Sequence, residues 1–107
     1  MDNAENEYIV IIDPAANDRM AAHVEFLARV SENAANRLLD EMLASVCSLK
    51  IMPFRCPVYN RPYLPVGKYR YLLFGKRYRI VFQIVGDHIF IDDIQDCRQH
   101  DDKNILS

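Results

Sequence analysis

A chain of 107 residues, half of them apolar and 26% charged, fits one soluble globular domain with a single modest core. It holds no apolar run near the length of a membrane span, and the opening Met1-Asp2-Asn3-Ala4-Glu5-Asn6-Glu7 is acidic, unlike a signal peptide. A cytoplasmic protein without a membrane partner is therefore expected, with Cys47, Cys56 and Cys97 as scattered reduced thiols that point to neither a disulfide nor a metal.

Tyr8-Ile9-Val10-Ile11-Ile12 reads as a short apolar strand, uninterrupted enough to be buried on both faces. Asp13-Pro14 starts a helix, because Asp13 can cap free backbone N–H groups and proline suits the first helical position. This helix runs to about Val30, with Met20, Val24, Leu27 and Ala28 as its apolar stripe. His23 falls within it as a surface residue. Ser31 caps a second helix, in which Leu38, Leu39, Met42, Val46 and Leu49 keep three-and-four spacing and Cys47 takes a core position. So short a connection predicts an antiparallel hairpin.

Pro53, Pro57, Pro62 and Pro65 then exclude helix and disfavour regular strand. The stretch is expected to be a stiff, extended loop that carries Arg55, Tyr59, Arg61 and Tyr63. Alternating arginine and tyrosine suits stacking on bases and pairing with phosphates, or simple packing of the loop onto a sheet. Three strands follow. Tyr69 to Phe74 closes at Gly75, Tyr78 to Val85 alternates strongly, and Gly86-Asp87 turns the chain into His88 to Ile94. The first strand must join the same sheet by a long crossover through the helices, which gives a two-layer α+β domain spanning residues 1–107, with flexible ends at 1–7 and 101–107.

The net charge of −2 conceals a segregation. No Asp or Glu occurs between Lys50 and Gly86, whereas Lys50, Arg55, Arg61, Lys68, Arg70, Lys76, Arg77 and Arg79 all do. Such a basic island fits a polyanion site, or a strand edge guarded against aggregation. The meander is expected to present Arg70, Arg79 and Arg98 on its open face, with Arg79 half open to water. There is no Gly-rich phosphate loop, HExxH, GxSxG or dinucleotide fingerprint.

Several pieces in this order resemble the RelE/ParE superfamily of toxins from type II toxin–antitoxin (plasmid stabilisation) modules. They are Tyr8-Ile9-Val10 with Pro14-Ala15-Ala16, Ala35 to Leu49 ending at Pro53, Gly67-Lys68-Tyr69-Arg70, Tyr78-Arg79-Ile80-Val81-Phe82, and Asp96-Cys97-Arg98-Gln99-His100. The resemblance spans nearly the whole chain and implies the fold just described, a cognate antitoxin as partner, and no cofactor. It also implies one of two activities. RelE-like members cut messenger RNA on the ribosome without metal, whereas ParE-like members poison DNA gyrase. Under the first, the chain is an endoribonuclease whose Arg79 matches the strand arginine at the scissile phosphate. Arg70 then stands in place of a lysine, Arg98 is the basic residue after the last strand, and His100 resembles a C-terminal histidine that could move a proton. Lys68, Arg61, Arg77 and Tyr69 would hold substrate. Two guanidiniums suit the pentavalent phosphorane because they donate in bidentate fashion. The chain departs from the nuclease pattern at Leu72, where a second lysine is usual, and it lacks a matching carboxylate base. Ribosome-dependent cleavage is the leading expectation. Gyrase inhibition is the alternative, with a non-catalytic antitoxin-binding module as the third reading.

Overall fold

In the computed structural model, which describes residues 7–98, Asp13 turns the first strand into the first helix. Its carboxylate accepts from the Ala15 N–H at 3.0 Å, and α1 (Pro14–Ala28) begins with proline at its first position. Ser31 caps α2 (Glu32–Ser48) in the same way, accepting from the Ala34 N–H at 3.2 Å. The helices pack against each other on one face of a four-stranded sheet. Its strands are β1 (Ile9–Ile12), β2 (Tyr69–Phe74), β3 (Tyr78–Val85) and β4 (His88–Asp96), in the order β1-β4-β3-β2. The helix hairpin carries the chain across the sheet, so β1 lies parallel to β4, while the meander pairs antiparallel. This is the expected two-layer α+β architecture.

The core lies between helices and sheet. Phe74, Tyr78, Ile80, Phe82, Ile89, Ile91 and Ile94 meet Ala16, Met20, Leu38, Met42 and Leu49 there. One irregularity makes this packing possible. The register shifts so that Val81 faces Asp93 but Phe82 faces Ile91, which leaves Asp92 as an extra residue in β4. A strict period of two would put Ile91 and Ile94 on opposite faces; the bulge returns both to the core. Gly75 (φ +59°) and Lys76 (φ +71°) form the left-handed turn between β2 and β3.

Several sequence expectations need correction. β1 is an edge strand with helices on one side only, so it is not buried on both faces: Ile9 and Ile11 are 52% and 41% exposed, while Val10 and Ile12 pack on the core. Cys47 is exposed, and α2 turns Leu38 and Met42 inward, with Leu49 buried at its C-cap, while Leu39 sits at the rim. The proline-rich stretch is the expected loop, with two ordered points along it. After a 3-10 turn at Pro53–Arg55, Val58 bridges Arg70 in antiparallel fashion. The Tyr59 N–H donates to the Tyr69 carbonyl at 2.7 Å, and the Tyr71 N–H donates to the Pro57 carbonyl at 3.1 Å. Pro57 uses only its carbonyl, so its missing N–H costs nothing, and the loop covers the start of the otherwise free edge of β2. His23 is not a plain surface residue. Its Nε2 donates to the Ile94 carbonyl at 3.1 Å, and its ring meets Tyr78 edge-on. β1 pairs only as far as Ile91, and α1 supplies His23 and Arg19 to the backbone of β4 beyond that point.

Candidate functional site

The pleat decides where the arginines point. Arg70 pairs in register with Phe82, and Arg79 with Leu73 and Gln95. Phe82 is a core residue, so Arg70 lies on the helix face and Arg79 on the outer one. The expectation that one open face presents both is therefore overturned. The cause is parity: Arg70 shares a face with Leu72 and Phe74, which the core claims. At its end of the sheet Arg70 donates to the Cys56 carbonyl at 2.6 Å, and its guanidinium lies 5.1 Å from the Phe54 ring centroid. It ties the 3-10 turn to β2. Cys56 beneath it is buried, and burial pushes its thiol above the ordinary range despite the neighbouring guanidiniums of Arg55 and Arg70.

Arg79 is not half open to water but only 6% exposed. Its guanidinium carbon lies 4.9 Å from the centroid of Tyr59 and 5.9 Å from that of Tyr71. Its Nε donates to Gln95 Oε1 at 2.9 Å. The Tyr59 hydroxyl donates to the same oxygen at 3.3 Å, while Gln95 Nε2 donates to Asp93 Oδ2 at 3.0 Å. Asp93 in turn receives Arg19 from α1. A polar chain thus runs from the outer face, past the bulge, to the first helix. Burying a guanidinium is costly unless it is bonded and stacked, and both conditions are met. Gln95 and Tyr71 were not among the sequence candidates, whereas Tyr59 was expected either to stack on bases or to pack the loop onto the sheet, and it does the latter. Their signal was there in the pairing: Gln95 and Leu73 are the register partners of Arg79, and Tyr59 and Tyr71 share its face.

The remaining candidates scatter. Arg61 stacks on Tyr59 at 4.4 Å, and the ammonium of Lys68 lies 5.4 Å from the centroid of Tyr69. Arg77 donates to the Tyr78 hydroxyl at 3.2 Å and pairs with Asp96 at 3.7 Å. Arg98 is exposed, with its backbone N–H donating to Asp96 Oδ1 at 3.1 Å. His100 lies outside the described residues, as do most of the end segments expected to be flexible. The outer face gathers Arg79, Arg61, Lys68 and Tyr69, whereas Arg70 is turned to the other side.

Sequence comparison places this arrangement in a family. The model of the ParE toxin of the type II toxin–antitoxin system parDE matches residues 10–100. The chain belongs to the ParE toxin family. It is accordingly the toxin of a type II toxin–antitoxin module, and an antitoxin is its partner. A search of the curated proteins finds no match. Among the described residues of this ParE-family chain no helix is long and apolar enough to cross a membrane.

Proposed function

We propose that this ParE-family toxin arrests growth by gripping a protein target, DNA gyrase, and not by cutting RNA. The observation that carries the reading is the state of Arg79, the residue a metal-independent nuclease would aim at the scissile phosphate. Its guanidinium is desolvated, stacked beside Tyr59 and Tyr71 and bonded to Gln95. A donor committed to internal partners must break them to meet a phosphorane, which erodes the preorganisation that electrostatic catalysis depends on. Arg70 cannot assist, since it faces the helices and binds the Cys56 carbonyl. Membership of the ParE family supports the same side.

Ribosome-dependent messenger RNA cleavage is the second reading, favoured by the acid-free segment between Lys50 and Gly86 and by the exposed Arg98. The deciding experiment induces the chain without its antitoxin and follows transcripts and DNA in the same cells. Gyrase-linked double-strand breaks with intact transcripts are expected. Ribosome-dependent transcript cleavage without DNA breaks would replace this reading with the nuclease one.

A further inference from the structure

The outer face holds a cavity of about 260 Å³ whose composition contradicts its surroundings. It is walled by Tyr59, Tyr63 and Tyr69 and floored by the acidic end of β4, with Asp92, Asp93 and Gln95. No basic residue lines it, although the segment that supplies its tyrosines contains basic residues and no acid at all. The bulge in β4 is what brings two carboxylates to this place: Asp92 is the extra residue. Asp93 is already satisfied by Arg19, Gln95 and its neighbour's N–H. Asp92 is not. One of its oxygens accepts from Gln83 Nε2 at 2.9 Å, and among the described residues the other has no hydrogen-bond donor.

We infer that this cavity is a receptor for a cationic side chain, guanidinium or ammonium, from a partner protein, held by Asp92 and the rings of Tyr63 and Tyr69. The local rings already act in this way within the chain. Tyr59 has Arg61 and Arg79 over it, and Tyr69 has Lys68. Aromatic rings attract cations more strongly when water is excluded, and a half-satisfied carboxylate adds a charge-assisted bond. Tyr63, 68% exposed, stands at the mouth with a ring still open to solvent. Burial also holds the Asp92 carboxyl above its ordinary range, against the opposing Gln83 bond and the charge of Lys68.

The test is an NMR titration of the full chain with N-acetylarginine methylamide, following the tyrosine ring signals. The neutral citrulline counterpart serves as control, since it has nearly the same shape without the charge. Saturable shifts of the Tyr63 and Tyr69 rings are expected with arginine and not with citrulline. Affinity should fall roughly tenfold in both Asp92→Asn and Tyr63→Ala. Because Tyr63 is exposed, its replacement keeps the test valid even where Asp92→Asn disturbs the bulge. Equal binding of citrulline, the absence of saturation, or wild-type affinity in either variant overturns the assignment.

Discussion

The two faces of one sheet are buried by different means. On the helix side Ile80, Phe82, Ile89 and Ile91 are wholly enclosed among Ala16, Met42 and Leu49. On the outer side Arg79 and Gln95 are almost as thoroughly enclosed, but by tyrosines and directed hydrogen bonds. Apolar burial is non-directional and tolerates any partner of the right volume. Burial of a guanidinium is not, since each donor left unmatched costs a desolvation penalty. The first face therefore specifies a fold, and the second specifies a particular arrangement of a few side chains.

Substitutions on the two faces sharpen that contrast. Phe82→Ala, at a site with no exposed surface, should destabilise by about 3–5 kcal/mol in denaturant unfolding, through lost transfer energy and a cavity. Arg79→Ala should cost about 2 kcal/mol, because Gln95 and Tyr59 lose a shared partner and the stacked tyrosines lose contact. Arg79→Lys should recover little of this, as an ammonium cannot reproduce the planar stack and the Nε bond together. If growth arrest then declines only as far as folded protein declines, Arg79 is a brace. Complete loss of toxicity at undiminished stability would instead restore it as a phosphate ligand.

The turn between β2 and β3 offers a smaller effect. Gly75 sits at φ +59°, and an added Cβ would lie 3.0 Å from the Glu41 side chain. Gly75→Ala should cost about 1 kcal/mol, read as a lower midpoint with unchanged m-value.

The smallest effect concerns Asp92 and depends on pH. Burial raises this carboxyl above its ordinary range, and the Gln83 bond opposes that only in part. The folded chain thus binds the Asp92 proton more tightly than the unfolded chain does. The stability this group contributes is full in acid and declines as the pH rises through its folded value. Asp92→Asn should melt like the parent at low pH and slightly above it at neutral pH. A variant that melts lower at neutral pH would show that Asp92 already has a cationic partner.

Local chemistry made most of the architecture legible in the chain itself. Asp13-Pro14 and Ser31 mark helix starts because their side chains meet free N–H groups nearby. The alternation of Tyr78, Ile80 and Phe82 marks a strand because a pleat has period two. These causes act over a few residues, and the sequence carries them whole. What lay beyond it are matters of partnership across the fold. The exposure of Ile9 and Ile11 depends on β1 falling at the sheet edge. The separation of Arg70 from Arg79 depends on which parity of β2 the helices cover. The burial of Arg79 depends on Tyr59, twenty residues upstream, being hydrogen-bonded to the edge of β2. Asp92 enters the outer cavity only through a register shift that keeps Ile91 and Ile94 in one core. Composition can announce that arginines, tyrosines and carboxylates are present; tertiary packing alone decides which of them water can reach.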